Sequence, residues 1–434
     1  MLEIPGYTVD GVVHASSHSV VCRGRDDQSQ RNVILKFTRA VPPRPTDIAR
    51  FNRECSILER LHDELTDTAF NRIEHGNRLV LVTEDIGGVS LTALLETRTF
   101  DLRRFLHIAR RIVDALERLH EKHIVHKDIN PSNIVFNPDT EQLAIIDFNL
   151  ASSLRSETAT VSNPNLLEGT PAYMAPEQTG RMNRAIDYRA DFYSLGVTLY
   201  QLFTGRLPFL MPGIAELVHA HLAIDPVPPH ELDERIPVAV SAIVMKLLTK
   251  EPEGRYQSLH GLRYDLERCL QELESTGSIP TFGIASQDIS DRFQISGRLF
   301  GRDGAIDELT GIFEGVAAGQ IAFTLVSGYS GIGKSALVHE LYKPITRTHG
   351  WFVSGKYDQY RRNVPYSGVV AAFRELVSEL LTEPEDALAV WREKLNHIGQ
   401  RTTCFYWTLK RNCQSDVTLR VRKSCESQAS RVRC

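Results

Sequence analysis

A short stretch of the chain carries an aspartate and, five residues later, an asparagine, Asp128 and Asn133, at a spacing suited to phosphoryl transfer. The stretch reads HKDINPSN over residues 126–133, and Asp147 follows an apolar run fourteen residues after its end. Asp128 is placed to accept or orient the proton of an attacking hydroxyl. Asn133 and Asp147 offer oxygen ligands of the kind that Mg²⁺ prefers. The spacing therefore predicts a site that holds Mg·ATP and directs its γ-phosphoryl group to a hydroxyl.

A lysine near the N-terminus is the expected contact for the α- and β-phosphates. Lys36 ends the apolar run that starts at Val33, and Glu54 lies on the next helical segment, close to its apolar stripe. A helical glutamate there can turn inward and form an ion pair with the lysine. The alternatives are a solvated lysine at a strand end and an exposed glutamate. The order of lysine, glutamate, catalytic acid and metal ligands along the chain favours the ion pair.

The segment before Lys36 should cover the phosphates, although the glycines of a G-x-G-x-x-G loop are missing from it. His14, Ser16 and Ser19 stand at the three glycine positions. Glycine allows backbone N–H groups to approach phosphate closely, whereas serine donates from both its backbone and its hydroxyl. We therefore expect Ser16 and Val21 to contact the nucleotide, with weaker ATP binding or slower turnover than a glycine loop would give.

Two more substitutions and a hinge complete this candidate site. In the Ser/Thr protein kinases that these motifs resemble, a glycine stands at the position of Asn149 and a lysine that contacts the γ-phosphate at the position of Asn130. Asparagine tolerates a left-handed backbone better than most residues do. From position alone, the backbone of Glu84 and Ile86 is expected to bond the adenine.

A second nucleotide site is predicted farther along the chain. Residues 328–335 read GYSGIGKS, which fits G-x₄-G-K-[ST], between an apolar run at 321–326 and a helical run at 336–341. Such a loop cradles phosphates with its backbone N–H groups, and the alternative is a glycine-rich turn without nucleotide. No second-strand acid follows between residues 350 and 400, so we expect nucleotide binding at most. The expected ligands are Gly328, Gly331, Gly333, Lys334 and Ser335, the last of which would also bind Mg²⁺.

The elements that position these residues form regions that differ in secondary structure. Residues 4–85 are short β-like runs around one helix, whereas the later residues are mainly helical, with one apolar face at 102–119. We predict an α+β fold of two lobes over residues 1–270. A linker at 271–296 and a partial α/β P-loop NTPase domain at 297–400 should follow.

The last segment, residues 401–434, is aperiodic and rich in Cys and Arg. It holds four of the seven cysteines of the chain. A solvated basic tail is one interpretation, and translated out-of-frame sequence is the other, which we favour because the composition changes within a domain. Because the other cysteines are scattered, no disulfide framework is expected.

Composition narrows the classes of partner. The formal net charge of the 434 residues is −4, which gives no reason to expect a nucleic-acid partner. No apolar run approaches the roughly 20 residues that cross a bilayer, so no membrane segment is expected. The N-terminal residues have neither the basic nor the apolar region of a signal peptide, so a cytoplasmic location is expected.

The motifs together resemble those of a known family. Residues 1–270 resemble a eukaryotic-type Ser/Thr protein kinase in HKDINPSN, in the Asp147-Phe148 pair and in Ala175-Pro176-Glu177, which closes the activation segment. Three runs are more specific and resemble a bacterial family of large sensor proteins. Its members join a Ser/Thr kinase, an AAA-type ATPase, a GAF domain and a sensor histidine kinase. The three runs are residues 163–170, 177–184 and 187–194.

The resemblance implies cofactors and partners. These are ATP and Mg²⁺, protein substrates with Ser or Thr acceptors, and sensor domains within a longer chain or acting in trans. It also implies that this chain is a truncated N-terminal part. Asp191 is expected to bond the catalytic-loop backbone, and Arg255 is expected to pair with Glu177. An ATP-binding pseudokinase that serves as a signalling scaffold is the alternative. A small-molecule phosphotransferase fits less well, because Gly169-Thr170 and Ala175–Glu177 are typical of protein kinases.

Overall fold

The chain forms two compact units, one made mainly of residues up to 295 and the other mainly of residues from 296 onward. None of the helices in the described ranges is long and apolar enough to cross a membrane. The computed structural model describes residues 4–16, 18–65, 71–97, 101–153, 169–182, 186–289, 301–329, 332–341, 344–345, 352–353, 369–370, 372–373, 376 and 432–433.

The small lobe is an antiparallel sheet of five strands in the order β1-β2-β3-β5-β4, with one helix. Alternation along β3 buries Val33, Leu35 and Phe37 on one face, so that Lys36 faces the other side. Helix α1 packs Phe51 and Cys55 against β5. The elements are β1 (Tyr7–Ala15), β2 (Ser19–Asp26), β3 (Asn32–Thr38), α1 (Pro45–Leu65), β4 (Asn71–His75) and β5 (Arg78–Glu84).

The large lobe is helical and is built around α4, whose residues are almost all buried. Helix α3 turns its predicted apolar face to the core and starts at Asp101, whose side chain accepts from the N–H of Arg104. The helices are α2 (Leu91–Thr97), α3 (Leu102–Glu121), α4 (Arg189–Thr204), α5 (Ile214–Ala223), α6 (Pro229–Leu232), α7 (Val238–Leu247) and α8 (Leu259–Thr276).

Short strands in the large lobe carry the chemical loops. The HKDINPSN loop runs between β7 and β8, and the segment with Asp147 follows β9. Strands β6, β8 and β9 form one small sheet, while β7 pairs with β10. The strands are β6 (Val89–Ser90), β7 (Ile124–Val125), β8 (Ile134–Phe136), β9 (Leu143–Ile145) and β10 (Ser152–Ser153). The 3-10 helices are Pro131–Asn133, Phe148–Leu150, Pro171–Tyr173, Pro176–Thr179 and Pro252–Gly254.

The connection after the large lobe is more ordered than a linker. Residues 271–276 are the last turns of α8 rather than an aperiodic segment. The next residues, 277–289, here named the strap, pack Ile279, Phe282 and Ile284 against the core of the large lobe. Burial of these apolar side chains, together with hydrogen bonds from the strap, explains why this polar stretch is held in place.

The second unit contains α9 (Asp303–Ala317), β11 (Val326–Ser327), α10 (Lys334–His339) and β12 (Val432–Arg433). The strand predicted over 321–326 is wrong in extent, because only its last residue belongs to β11. Ile321 and Leu325 are 63% and 54% exposed. A parallel strand needs a hydrogen-bonded neighbour on its edge, and β12 is the only one found in the described part of the chain.

Candidate active site

Lys36 joins the two lobes of the first unit. Its Nζ atom lies 2.9 and 2.8 Å from the two carboxylate oxygens of Glu54 and 2.8 Å from Oδ1 of Asp147. The Lys36 side chain is 16% exposed and that of Glu54 is 4% exposed. Burial tends to lower the pKa of Lys36, but the two carboxylates outweigh it and raise that pKa above its ordinary value. The predicted ion pair is present, and a third predicted residue joins it.

Carboxylates outnumber cations at this point of the cleft. Lys36 supplies one positive charge, whereas Glu54, Asp147 and the nearby Asp128 supply three negative charges. Burial, with a contribution from Asp147, raises the pKa of Asp128 above its ordinary value, although hydrogen bonds from Thr170 oppose the rise. This excess of negative charge favours a divalent cation as an additional partner.

Asp128 is held from two sides. Its Oδ1 atom accepts the backbone N–H of Thr170 at 3.0 Å, and its Oδ2 atom accepts the side-chain amide of Asn133 at 3.0 Å. Because the Asn133 nitrogen faces Asp128, its carbonyl oxygen is directed away and is available as a metal ligand. In the sequence, Thr170 was named only as part of the Gly169-Thr170 pair that is typical of protein kinases, so its contact with Asp128 was not predicted. A contact across 42 residues leaves no local pattern in the sequence.

Asn130, whose side chain is uncharged, takes part in the same hydrogen-bond network. Its amide donates to the backbone oxygen of Asp128 at 3.1 Å and to the Thr170 hydroxyl at 3.3 Å. Its own oxygen accepts the N–H of Ser132 and so caps the 3-10 helix Pro131–Asn133. The residue therefore braces the catalytic loop without the positive charge of a lysine.

Asp191 fixes the catalytic loop from beneath. It is fully buried, and its oxygens accept the backbone N–H groups of His126 and Lys127 at 2.9 and 2.8 Å. The ring of His120 is a third partner at 2.8 Å. Burial acts to raise the pKa of Asp191, but these hydrogen bonds and the nearby histidines hold it below the ordinary value. The expected contact between Asp191 and the loop backbone is therefore present.

The metal-binding segment departs from its expected backbone geometry. Asp147 itself is left-handed, with φ of 68°, whereas Asn149 lies in a 3-10 helix and is not left-handed. The backbone at position 149 therefore does not require glycine. The left-handed residue is Asp147, and aspartate tolerates that conformation. The Asn149 amide donates to Oδ1 of Asp147. That bond competes with Lys36 and with a metal ion for the same oxygen.

Side-chain hydrogen bonds replace glycines in the phosphate-covering loop. The hydroxyl of Ser16 accepts the backbone N–H groups of His18 and Ser19 at 3.2 and 3.0 Å. The ring of His18 lies 3.1 Å from Asp47, which is in the first turn of α1. Ser16 has an ordinary negative φ, so this turn does not require glycine. The link between His18 and Asp47 was not predicted, because it joins residues 29 positions apart.

Strand register places the other nucleotide contacts. Val21 lies directly opposite Lys36 on the neighbouring strand, so both side chains share a face of the sheet. Glu84 ends β5 and is exposed, while the carbonyl of Ile86 accepts the side-chain amide of Asn137 at 2.7 Å. Asn137 thus holds the hinge, a role with no signal in the sequence. These positions agree with an adenine pocket bonded by backbone groups.

The two 3-10 helices Pro171–Tyr173, which is half-buried, and Pro176–Thr179, which is buried, form a segment that we name the substrate floor. Glu177 and Arg255 fasten it to the core through a bidentate ion pair of 2.6 and 2.8 Å, with side chains 1% and 0% exposed. Arg255 also donates to three backbone carbonyls, which leaves none of this charge without a partner. The predicted pair is therefore present.

In the second unit, the lysine of the P-loop donates to backbone carbonyls of its own loop. Lys334 donates to the carbonyls of Gly328 and Tyr329 at 2.9 and 2.7 Å. Gly333 is left-handed with φ of 90°, Ser335 is exposed, and Arg302 donates to the carbonyl of Ile332. Gly331 lies outside the described residues. The described residues of the predicted P-loop site thus belong to one loop. Phosphate oxygens would compete with the two carbonyls for the amine of Lys334.

Comparison with protein families agrees with this geometry. Residues 7–265, more than half of the chain, match the model described as protein kinase domain. The chain belongs to the protein kinase family. Residues 298–418 match the model described as AAA ATPase domain, so the predicted kinase fold followed by a P-loop NTPase is confirmed. This second match extends into the segment that we predicted to be a separate tail.

Similar proteins include a hybrid histidine kinase and serine/threonine-protein kinases. A hybrid signal transduction histidine kinase G of Dictyostelium discoideum is 28% identical over 381 residues, covering 68% of this chain and 11% of that protein. A serine/threonine-protein kinase of Streptomyces coelicolor is 32% identical, covering 61% of this chain and 40% of its own length. PknB of Mycobacterium leprae, a serine/threonine-protein kinase, is 31% identical, covering 60% and 42%. The domain is thus of the serine/threonine kinase type.

Proposed function

We propose that this chain transfers the γ-phosphoryl group of Mg·ATP to serine or threonine hydroxyls of proteins in bacterial signal transduction. The observation that carries the proposal is the contact of one amine, Lys36 Nζ, with both Glu54 and Asp147. It brings a phosphate-binding cation of the small lobe to a metal ligand of the large lobe. The chain spans only 11% to 42% of the relatives described above, so the activity of any longer protein is part of the proposal.

The residues fit a magnesium-bound triphosphate. No group of three or more His, Cys, Asp or Glu side chains suited to a metal was found among the described residues, so phosphate oxygens would complete the coordination of Mg²⁺. Asp147 and Asn133 would hold the metal, and Lys36 would bind the α- and β-phosphates. The bound metal neutralises charge that develops on the transferring group.

Asp128 would orient the acceptor hydroxyl and receive its proton. Asn133 and Thr170 fix the carboxylate at a defined angle, which limits the geometries in which a hydroxyl can approach. Ser16 and Val21 would cover the phosphates, while the backbone of Glu84 and Ile86 would bond adenine. Protein substrates are favoured over small molecules because the substrate floor is anchored to the core by the Glu177–Arg255 pair.

Incubation of the full chain with γ-labelled ATP, Mg²⁺ and a basic peptide that contains serine and threonine tests this proposal. Label should enter the peptide, and Asp128→Ala should lower the rate at least about a hundredfold. Asp139→Ala is the matched control, because this exposed aspartate follows the same loop. ATP binding without any transfer would reject the proposal in favour of a nucleotide-binding scaffold.

We further propose that the P-loop binds a second nucleotide. Gly328, Gly333, Lys334 and Ser335 are the described ligands, and Gly331 would complete the loop. Equilibrium dialysis with a non-hydrolysable ATP analogue should give two nucleotides per chain. Lys36→Met and Lys334→Ala should each leave one. A stoichiometry of one that Lys334→Ala does not change would reject the second site.

The proposed setting is a multidomain sensor. Attached GAF and histidine-kinase domains would act as partners within a longer protein or in trans, and this chain would be its truncated N-terminal part. We also propose a cytoplasmic location. The domain order of kinase then P-loop ATPase supports the setting, and reading the gene beyond codon 400 in all frames tests it.

A further inference from the structure

A buried histidine lies under the substrate floor. His221, on α5, is 1% exposed, and α5 packs against both 3-10 helices of the floor. The rings of Phe209 and Tyr193 meet His221 edge-on, with centroids 5.2 and 5.7 Å away. A polar ring at such a depth is costly unless its nitrogens have partners.

One nitrogen of this ring has a partner of good geometry. The Tyr193 hydroxyl lies 2.9 Å from Nδ1 of His221, and Tyr193 is fully buried on the central helix α4. Burial raises the pKa of Tyr193, which keeps its hydroxyl protonated as a donor. The neutral ring therefore accepts at Nδ1 and carries its proton on Nε2.

The other nitrogen of the ring has no such partner among the described residues. Helix α5 packs against the 3-10 helix Pro171–Tyr173, so the carbonyls of Pro171 and Ala172 lie in a segment that contacts the helix of His221. Burial, reinforced by the Lys250 charge, lowers the pKa of His221 to about 4, while these two carbonyls oppose that shift. Nevertheless Nε2, which is buried, has no hydrogen bond of good geometry in the described part of the chain. A buried N–H group beside two carbonyls gains free energy if a small movement lets one of them accept it.

We propose that His221 is a positioning residue for the protein substrate, which holds Pro171 and Ala172 from beneath and bonds one of their carbonyls when a peptide seats on the floor. The inference rests on the proposed kinase function. Peptide binding and this hydrogen bond reinforce each other, because each favours the same position of the floor. None of the contacts described for His221 involves Lys36 or Asp147, so we expect its substitution to affect the peptide and not ATP.

Two amide substitutions at position 221 separate the two ring nitrogens. The amide of Gln reaches as far as Nε2, whereas that of Asn reaches only as far as Nδ1. His221→Asn should therefore raise the KM for the peptide about five- to tenfold and leave the KM for ATP unchanged. His221→Gln, which keeps a donor toward the floor, should remain within about twofold of the unsubstituted chain. A merely structural role would affect both variants and both substrates alike.

The outcomes discriminate among explanations. If folded His221→Asn keeps the peptide KM of the unsubstituted chain, the inference is rejected. Should the variants at 221 not fold, exchange of the His221 Nε2 proton with solvent is followed by NMR in the unsubstituted chain, with and without peptide. Protection of that proton by the peptide supports the inference, and unchanged exchange rejects it.

A measurement that does not depend on kinase activity separates this inference from the proposed function. If the unsubstituted chain transfers no phosphate to peptide, the kinase proposal fails. Hydrogen exchange of the backbone amides of residues 170 and 172–174, with and without peptide, then tests the positioning role alone. Protection by the peptide that is lost in His221→Asn supports it, and equal or absent protection in both chains rejects it.

Discussion

The Nζ atom of Lys36 lies 2.8 Å from Oδ1 of Asp147, although 111 residues separate the two in sequence. The same amine contacts Glu54 on α1, so one cation joins a strand and a helix of the small lobe to the metal-binding segment of the large lobe. Phosphate oxygens would enter this cluster as further acceptors for the amine. The proposed nucleotide binding and the contact between the two lobes would thus both depend on Lys36.

Lys36→Met should abolish most of the transfer activity. The substitution leaves two carboxylates without their cation and removes the phosphate contact, so we expect kcat/KM for ATP to fall by about 10²- to 10³-fold. Glu54→Gln keeps an acceptor for the amine and should cost less. Steady-state kinetics with labelled ATP check both values. Lys122→Met, at the end of α3, is the control, and a Lys36→Met chain with activity within threefold would contradict the assignment.

The pH dependence of transfer should report on Asp128. The carboxylate form is the active one, and burial raises its pKa. Activity should therefore rise with pH through an acid limb above the value of about 3.9 that an ordinary aspartate would give. The Thr170 side chain lowers this pKa, so Thr170→Val should raise it and move the limb to higher pH. Rate profiles against pH give the comparison, with exposed Thr140→Val as control. A limb that moves to lower pH would be inconsistent with this role.

Removal of the Asn149 amide should reduce the magnesium requirement. That amide donates to the Asp147 oxygen that a metal ion would use. Asn149→Gly should lower the Mg²⁺ concentration at half-maximal rate by about two- to tenfold, because the competing hydrogen bond is lost. Asn149→Ala should behave alike, since residue 149 is not left-handed. Magnesium titrations of both variants decide the point. An effect of glycine alone would show that backbone freedom matters instead.

Local patterns predicted much of the fold and of the active site. Short apolar runs marked β3 and β5, and the period of 3.6 marked α1 and α3, because the buried parts of each element consist of apolar side chains. The pair Lys36–Glu54 was predicted from the order of the motif residues along the chain, and the pair Glu177–Arg255 from the resemblance to protein kinases. Both pairs are present because a buried charge needs a partner.

Long-range contacts between unremarkable residues could not be predicted. Thr170 on Asp128 and His18 on Asp47 depend on how distant segments pack, and neither leaves a periodic signal. The packing of the strap has no signal in its polar, aperiodic composition, because only a few apolar side chains dock it. The strand over 321–326 was overestimated because strand formation depends on a neighbour that the local sequence does not reveal.

Asp288 should prove to be the main polar anchor of the strap. Its carboxylate accepts the N–H groups of Gln257 and Ser258 at the start of α8 and the Ser258 hydroxyl, at 2.8 to 3.0 Å. Asp288→Ala leaves these donors unsatisfied, so the free energy of unfolding should fall by about 1–3 kcal/mol. Asp288→Asn keeps one acceptor oxygen and should lose less.

Gly261 provides a second test of the same contact. A Cβ atom added there would lie 2.6 Å from the Cα atom of Asp288, so Gly261→Ala should displace the strap. It should therefore destabilise the kinase unit, although alanine normally favours a helix. Urea unfolding of the full chain, followed by far-UV circular dichroism, measures both substitutions. If Asp288→Ala and Gly261→Ala both unfold at the midpoint of the unsubstituted chain, the strap contributes nothing to the stability of the large lobe.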